Sequence, residues 1–305
     1  MAKNKMRFQR VAARHHSIPP DDGLDFLDAV SAGDTDTVDI YVSKYGEEGL
    51  EVRARDWLTG EQNGDSRTGI MIAVQKENTE MVETLIHHGA DVAAKTHDGF
   101  PVLMLSPGPE MSALLLDNGA QIECTNNFGS TPLMAARTPA LLTFLLSRDA
   151  IVDARDKEGH TALIRLAGSV HAFHGSAVKG LEILINGGAE IDACNNEGKT
   201  ALMGAAISAV RSEAAFAAAR YLLERGASPD VRDAAGRSAA DHVRVALAAE
   251  RARLAEEKSE LPEEPAIVAL LAQASADHAE KSRKAFTEGA EQGVGVMKPL
   301  QLKRS

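Results

Sequence analysis

The residue types best suited to metal chemistry in this chain are histidines in close pairs and two cysteines that stand far apart. His171 and His174 are three positions apart, a spacing that sets two imidazoles on one helix face. Two nitrogens supply only half of a tetrahedral zinc site. His87 and His88 stand between Leu85-Ile86 and Gly89-Ala90, and we predict a solvated helix end there, where imidazole suits the helix dipole. Cys124 and Cys194, the only cysteines, are too few for a disulfide scaffold or a four-thiolate site. We predict no metal site and no cofactor.

Catalytic signatures are missing as well. The chain contains none of the motifs Gly-x-Gly-x-x-Gly, Gly-x-x-x-x-Gly-Lys-Ser/Thr, His-Glu-x-x-His or Gly-x-Ser-x-Gly. An internal repeat accounts for about 250 of the 305 residues, and the remaining tails are too short for a catalytic domain. We therefore predict that the protein is not an enzyme and has no catalytic residues.

Charge is distributed unevenly along the chain. Residues 1–20 carry five basic residues and no acid, residues 291–305 carry a net charge of +2, and the total is −11, which leaves −18 on residues 21–290. Because an acidic body repels the phosphate backbone, we expect no nucleic-acid partner. The sequence has no run of 18 apolar residues and no apolar leader. These absences predict no membrane span and a cytoplasmic protein, with secretion as an effector left open.

Two short segments recur along the chain at a constant separation. The first segment has a pair of large aliphatic residues, then two variable residues, then Gly-Ala, as in LIHHGADV at 85–92. The second segment resembles STPLMAA, which begins at Ser130. The step between them is always 12 residues, whereas the rest of each repeat varies from 18 to 27 residues. The five steps run from Gly89 to Pro101, Gly119 to Thr131, Asp149 to Thr161, Gly188 to Thr200 and Gly226 to Ser238. A connector of constant length indicates that connectors stack on one another, while the helix–helix turns tolerate insertion.

These segments resemble the ankyrin repeat, whose signature is a Gly-x-Thr-Pro-Leu-His opening and a Leu-Leu-x-x-Gly-Ala close. Gly129–Met134 is the best match, followed by Gly159–Leu163 and Gly198–Leu202. The resemblance covers about residues 24–276. It implies an all-α fold, an ankyrin-type solenoid of about seven helix-turn-helix repeats joined by β-hairpin-like loops.

Several positions depart from the ankyrin pattern or define its local geometry. Asp149 stands where the other copies have glycine, so we predict a left-handed backbone there. Thr131 is predicted to cap a helix whose first residue is Pro132. The signature histidine is replaced in every copy, mostly by methionine, which predicts packing by flexible thioethers. The replacing residues are Met71, Met104, Met134, Ile164, Met203 and Asp241.

The ends of the repeat array are less regular than its centre. The first repeat begins near Leu24 and continues through an irregular link at 57–66. The last repeat begins near Asp233 and enters a long charged helix at 239–257, where Glu250 and its charged neighbours are predicted to form a polar end face. We predict a disordered basic arm at 1–20, a solenoid at 21–277, and a helix end with a flexible basic tail at 278–305.

The tips of the connectors are the predicted partner-binding surface. Tip side chains face solvent or a partner, and Phe100 and Phe128 occupy adjacent tips, which favours an interface with aromatic anchors over local packing of the rings. The predicted partner-binding residues are His97, Phe100, Asn127, Phe128, Lys157, His160, Asn196, Lys199 and Arg237.

Two insertions, at 169–176 and 208–215, are interpreted either as tolerated additions or as a platform formed by Phe173 and Arg211. The predicted function is a monomeric, non-enzymatic scaffold or regulator that binds a protein partner, preferably a basic one, through the connector tips and the inner helices. The alternative is a modulator, effector or inhibitor whose terminal tails make the functional contact, with the repeats as a holder.

Overall fold

The computed structural model describes residues 20–46, 50, 67–170, 173, 176–256 and 266–291. Within these residues the chain forms α-helices and no β-strand, and Lys95 pairs with Pro101 in an isolated antiparallel bridge. A 3₁₀ helix spans Val102–Leu105. The α-helices are α1 (Pro20–Ala32), α2 (Thr35–Tyr45), α3 (Gly69–Gln75), α4 (Thr79–His87), α5 (Pro109–Asp117), α6 (Pro132–Ala135), α7 (Pro139–Ser147), α8 (Ala162–Gly168), α9 (Ala177–Asn186), α10 (Ala201–Ser208), α11 (Glu213–Glu224), α12 (Ala239–Glu256) and α13 (Ala266–Glu291).

The helices follow one another in seven pairs, with the 3₁₀ helix serving as the first member of the third pair. This order confirms the all-α class and the number of repeats expected from the sequence. The predicted irregular link at 57–66, residues 1–19 of the predicted arm at 1–20, and residues 292–305 of the predicted C-terminal segment at 278–305 lie outside the described residues. None of the described helices combines the length and the apolar character needed to cross a bilayer.

The chain divides into two compact units. The first unit contains residues 1–162 and 182–189, and the second contains residues 163–181 and 190–305. In the first unit α1 packs against α2 and α3, α3 packs against α4 and the 3₁₀ helix, and α7 packs against α5 and α6. In the second unit α10 packs against α11 and α12, and α13 packs against α11 and α12.

A left-handed residue follows the second helix of the repeats and turns the chain into the connector. The next residue donates its N–H back to the helix, as Ala90 does to the carbonyl of Leu85 at 2.9 Å. Asp149 has a φ of 64°, which confirms the left-handed backbone predicted there. The glycines at the same place have φ values of 93° at Gly89, 95° at Gly119, 96° at Gly188 and 95° at Gly226.

The start of α6 follows the prediction only in part. Thr131 occupies the N-cap position and Pro132 the first helical position, but the Thr131 side chain makes no capping hydrogen bond. The helix is only four residues long, because Ala136 already has an extended backbone and Pro139 begins α7. A helix this short is not stable by itself, so its position depends on packing through the buried Leu133.

The interior of the first unit is built mainly from aliphatic side chains and methionine. Met71, at the position of the signature histidine, is fully buried, as are Met81 and Leu85. Phe26 of α1 stacks on Tyr41 of α2 with a centroid distance of 4.5 Å, which anchors the first helix pair. The predicted replacement of histidine by thioether packing is confirmed at Met71 and, in the second unit, at Met203, both of which are buried.

Two glycines bring α8 and α10 of the second unit together. A Cβ added to Gly204 would lie 3.2 Å from the Cα of Gly168. The Ser208 hydroxyl donates a hydrogen bond of 3.4 Å to the carbonyl of Gly168. The two lengthened legs of consecutive repeats therefore lie side by side at the points where their insertions begin.

Glu250 does not belong to a polar end face, so that part of the prediction is wrong. Its side chain on α12 is buried, pairs with Arg211 of the α10–α11 turn, and accepts a hydrogen bond of 2.8 Å from Arg253. A buried carboxylate needs such partners to offset its loss of hydration. Arg251 and Arg253 are exposed, as predicted for the outer face of this helix.

Candidate partner-binding site

Five connectors each form a hairpin of five residues in which the first and fifth residues are hydrogen-bonded. The backbone N–H of Asn126, for example, donates to the carbonyl of Ser130 at 3.2 Å. The five hairpins span residues 96–100, 126–130, 156–160, 195–199 and 233–237. The first three lie in the first unit and the last two lie in the second unit. We call them hairpins 1 to 5.

A side chain at the first position holds four of these hairpins from inside. In hairpin 2 the Oδ1 atom of Asn126 accepts hydrogen bonds from the N–H groups of Phe128 at 2.9 Å and Ser130 at 3.0 Å. The same two bonds are made by Asp156, Asn195 and Asp233 in hairpins 3, 4 and 5. All four side chains are buried. The sequence analysis did not reveal this role, for which the signal is an Asn or Asp three residues before the glycine of each of these four hairpins.

Neighbouring hairpins contact one another through their backbones. In the first unit the N–H of Lys157 donates to the carbonyl of Phe128 at 3.0 Å. In the second unit the N–H of Ala234 donates to the carbonyl of Glu197 at 2.8 Å. A Cβ added to Gly129 would lie 3.1 Å from the Lys157 nitrogen, so glycine permits this close approach. Within each unit these bonds support the prediction that connectors of equal length stack on one another.

The aromatic tip residues differ in exposure. Phe128 is 60% exposed at the centre of hairpin 2, and it is one of four large apolar side chains that face solvent in the described part of the chain. Phe100 is half-buried at the end of hairpin 1, where its N–H donates to the Thr96 hydroxyl at 3.1 Å. The sequence analysis placed both rings at connector tips, but in the structure only Phe128 is exposed and Phe100 is half-buried.

Polar tips surround Phe128 in the first unit. His97, Asn127 and Lys157 are exposed. His160 is half-buried, with its Nδ1 atom 3.3 Å from a carboxylate oxygen of Glu158 and 3.5 Å from one of Asp156. The first unit thus brings together six of the predicted partner-binding residues, with one apolar side chain among polar and charged neighbours.

The second unit carries the other three predicted residues on its own pair of hairpins. Asn196 is exposed, and the Lys199 ammonium lies 2.6 Å from the Glu197 carboxylate. Arg237 is turned toward its own hairpin, where its guanidinium lies 3.1 Å from Asp233. These tips therefore carry charge but no exposed aromatic ring.

The carboxylate of Asp233 in hairpin 5 has a lowered pKa. It accepts hydrogen bonds from the backbone and side chain of Arg237 and, at 2.8 Å, from the buried His242. These bonds, the backbone N–H of Arg237 first, lower the pKa of Asp233 from 3.8 to about 2. The charged form is therefore part of the folded structure of hairpin 5.

Family models match the sequence in two places. The model described as "Ankyrin repeats (3 copies)" matches residues 141–233, and the model described as "Ankyrin repeat" matches residues 65–97. The chain is an ankyrin-repeat protein. Ankyrin repeats generally mediate protein–protein interactions.

The fold is shared with a solved ankyrin-repeat structure. The crystal structure of the ankyrin repeat domain of Bcl-3, described as a unique member of the IkappaB protein family, matches with a TM-score of 0.53. The two sequences are 22% identical over 72% of this chain and 92% of that chain. Identity at this level shows the ankyrin-type fold alone. No curated protein matches the sequence.

In two places of this ankyrin-repeat protein an acidic side chain joins one connector to the next. The carboxylate of Glu123 accepts a hydrogen bond of 2.8 Å from the N–H of Ile151, 28 residues later. In the second unit Asp192 accepts one of 2.9 Å from the N–H of Ser228, 36 residues later. Both acids stand four residues after the left-handed glycine of their repeat. That regular spacing was the signal from which these residues could have been found.

The described residues of the insertions include no exposed aromatic ring. Phe173 is buried beside α9, where a Cβ added to Gly180 would lie 2.9 Å from its ring. Arg211 is paired with Glu250. The platform interpretation of Phe173 is therefore wrong, because the ring fills the space that a glycine leaves on the neighbouring helix.

The metal candidates of the sequence are accounted for as far as they are described. His171 and His174 lie outside the described residues. His88 pairs with Asp39 of α2 at 2.6 Å, so it is more than a solvated helix end. Burial raises the pKa of the Cys124 thiol to about 11, which makes it unreactive. Within the described part of the chain, no three His, Cys, Asp or Glu residues are grouped as metal ligands would be.

Proposed function

We propose that this ankyrin-repeat protein is a non-enzymatic scaffold or regulator that binds a protein partner through the hairpin row of its first unit, with Phe128 as the anchor. The observation that carries the proposal is the 60% exposure of Phe128 on a hairpin whose backbone is fixed from inside by Asn126. Exposed aromatic side chains of this size concentrate binding energy at protein interfaces when a partner covers them.

The rigidity of hairpin 2 supports this role for Phe128. The hairpin is bonded internally by Asn126 and externally through the Phe128 carbonyl to Lys157. A ring on a fixed backbone loses little conformational entropy when a partner binds. The exposed polar tips His97, Asn127 and Lys157 supply the rim that excludes water around such an anchor.

We assign the partner a basic character. Residues 21–290 carry −18, so long-range attraction steers a basic protein toward the ankyrin repeats. The association rate is therefore expected to fall as salt rises from about 0.05 M to about 0.5 M, because the Debye length shortens. A partner whose binding is independent of salt would contradict this assignment.

The test compares Phe128→Ala with Ile151→Ala. Ile151 is a matched control because it is 58% exposed in the same unit but stands outside the hairpins. The full chain and both variants are immobilised, and proteins retained from the native cell are quantified by mass spectrometry. The proposal expects a partner retained by the wild type and by Ile151→Ala and lost with Phe128→Ala.

Affinity for the retained partner then measures the contribution of the ring. Phe128→Ala is expected to cost about 2 kcal/mol, the threshold that defines an interface anchor. A cost below about 0.5 kcal/mol would remove Phe128 from the interface. Deleting residues 1–20 and 291–305 separates the proposal from the tail-based alternative, since binding through the hairpins survives the deletion and binding through the tails does not.

A further inference from the structure

The chain contains the sequence Asn-Gly three times, at 63–64, 118–119 and 186–187, and the structure describes the second and third. An asparagine in this sequence loses its side-chain amide without an enzyme. The backbone nitrogen of the glycine attacks the Cγ atom of the asparagine, ammonia leaves, and a cyclic imide forms. Water then opens the imide at either carbonyl, which yields aspartate or isoaspartate. Glycine allows the attack because it has no Cβ beside the nitrogen.

Asn118 stands just beyond the last helical residue of α5, with a φ of −98° and a ψ of 18°. Asn118 and Gly119 are both exposed. A Cβ added to Gly119 would meet nothing within 4 Å, so there is space around this nitrogen for the imide. The Gly119 N–H donates a hydrogen bond of 3.0 Å to the Leu116 carbonyl. This bond lies at a helix end, and helix ends open readily.

Asn186 has the same neighbour in sequence but different surroundings. It is the last residue of α9, and the Gly187 N–H donates to the Ile183 carbonyl at 2.9 Å, which continues the helical pattern. A Cβ added to Gly187 would lie 2.9 Å from a methyl carbon of Leu146, so this glycine is packed against α7. The Gly187 nitrogen reaches the Asn186 side chain only if the turn unwinds and leaves α7. The structure therefore protects Asn186 more than Asn118.

We propose that Asn118 is a deamidation site of the folded protein and that its modification loosens the connector that carries hairpin 2. The reaction needs only Asn118, Gly119 and water. The proposal goes beyond the proposed function, because it concerns a chemical change of the chain itself and holds whether or not a partner binds the hairpin row.

Deamidation changes the hydrogen bonding at the end of α5. The Nδ2 atom of Asn118 donates a hydrogen bond of 2.8 Å to the carbonyl of Leu114. A carboxylate cannot donate this bond, and it adds negative charge at the negative end of the helix dipole. The new charge also stands next to Asp117, whose carboxylate pairs with Arg148 at 2.9 Å. Both products therefore weaken the end of the helix.

Isoaspartate also lengthens the main chain by one carbon atom. The extra atom enters between α5 and Gly119, where the Ala120 N–H bonds to the Leu115 carbonyl at 3.0 Å and the connector begins. This connector spans the constant 12-residue step to Thr131 and contains hairpin 2. Because the connectors match one another in length, we expect the longer main chain to strain the hydrogen bonds of hairpin 2.

Peptide mass spectrometry of the full-length protein, aged in mildly alkaline buffer, measures both sites in one sample. In the folded protein Asn118 is expected to react at least about tenfold faster than Asn186, because a helix end opens more readily than a packed turn. In protein unfolded by urea the two rates should agree within about twofold, since the protecting structure is gone. Asn127, which is exposed but followed by phenylalanine, is the control for an ordinary exposed asparagine.

Amide hydrogen exchange measures the effect on hairpin 2. The fraction modified at residue 118 alone is isolated by ion exchange and identified by peptide mass. The N–H groups of Phe128 and Ser130, which bond to Asn126, are expected to exchange at least about threefold faster in this fraction. The N–H groups of Ala235 and Arg237 in hairpin 5 should be unchanged.

A pair of variants assigns the effect to one asparagine. Asn118→Gln is expected to abolish the change of hairpin 2 on ageing, because glutamine must close a larger ring and reacts far more slowly. Asn186→Gln is the matched control at the other described Asn-Gly sequence, and it should age as the wild type does.

Three results would overturn the proposal. The first is equal rates of deamidation at Asn118 and Asn186 in the folded protein. The second is a rate at Asn118 no higher than the rate at Asn127. The third is a hairpin 2 that exchanges equally fast before and after modification of residue 118.

Discussion

The Nδ1 atom of His278 lies 2.9 Å from a carboxylate oxygen of Asp230, joining α13 to the last connector. Asp230 stands four residues after a left-handed glycine, the position at which Glu123 and Asp192 accept the N–H of the following connector. In the described chain no connector follows Asp230, and a histidine from a helix takes the place of the missing backbone N–H. α13 thus closes the series of contacts at this end of the second unit.

Replacing His278 by alanine is expected to loosen α13 where it contacts Asp230. Both side chains are half-exposed, so the loss in the free energy of unfolding should be small, about 0.5 kcal/mol. Amide hydrogen exchange is the sensitive measurement, with faster exchange expected around residue 278 and none around Leu271, which is fully buried. Glu280→Gln, which removes a pair with Lys284 on the same helix, is the control and should leave the contact intact.

Asp149→Gly is expected to stabilise the protein by about 1 kcal/mol, because glycine adopts a positive φ without strain. The converse control is Gly119→Ala, at the same position of another repeat, where an added Cβ meets nothing within 4 Å. Gly119→Ala should therefore destabilise by about 1 kcal/mol through the backbone alone. Thermal unfolding followed by circular dichroism measures both, and an unchanged or lowered melting temperature in Asp149→Gly would contradict the prediction.

Asn126→Ala is expected to lower the free energy of unfolding by about 2 kcal/mol. The reason is that the N–H groups of Phe128 and Ser130 lose their acceptor. Asn127→Ala changes an exposed side chain of the same type at the next position and should cost less than about 0.5 kcal/mol. Urea unfolding gives both values. If the two variants were equally stable, the role assigned to the Asn126 side chain would be wrong.

Asp233→Asn is expected to reduce stability in a manner that depends on pH. Asparagine keeps one acceptor oxygen for the backbone of hairpin 5 but loses the charge facing Arg237 and His242. Because folding lowers the pKa of Asp233 from 3.8 to about 2, the contribution of its charge is fully present above about pH 4. It is lost as the pH falls toward 2.

Urea midpoints at pH 5, 3.5 and 2.5 check this dependence. The difference in urea midpoint between the wild type and Asp233→Asn should narrow steadily as the pH falls through this range, because the wild-type carboxylate takes up a proton. Asp98→Asn is a suitable control, since that acid is an exposed tip residue of hairpin 1. A difference that stays constant from pH 5 to pH 2.5 would show that the Asp233 charge contributes nothing to the folded state.

Local geometry in this protein was predictable because it depends on residues close together in the chain. The left-handed backbone at Asp149 was predicted by aligning it with glycines of the neighbouring repeats, and about seven helix pairs were expected from the recurring segments and their resemblance to the ankyrin repeat. The length of α6 was missed, since its end depends on the extended backbone at Ala136 rather than on helix propensity.

Exposure was predicted less well than position. Phe100, Phe128 and Phe173 are equally apolar, yet they are half-buried, exposed and buried. The burial of Phe173 depends on Gly180 of the following helix, which leaves room for the ring. Glu250 was placed on an outer face for the same reason, because its partner Arg211 is 39 residues away.

The number of repeats and the constant length of the connector follow from the order of residues alone, because the same segments recur along the chain. The left-handed backbone positions also follow from it, because they are local conformational preferences. The exposure of Phe128, the burial of Phe173 and the partners of Glu123, Asp192 and Asp230 arise only in the folded chain. Burial and hydrogen bonding depend on atoms that packing brings close together. The spacing of residues within one repeat does not specify which atoms of the next repeat will lie beside a given side chain.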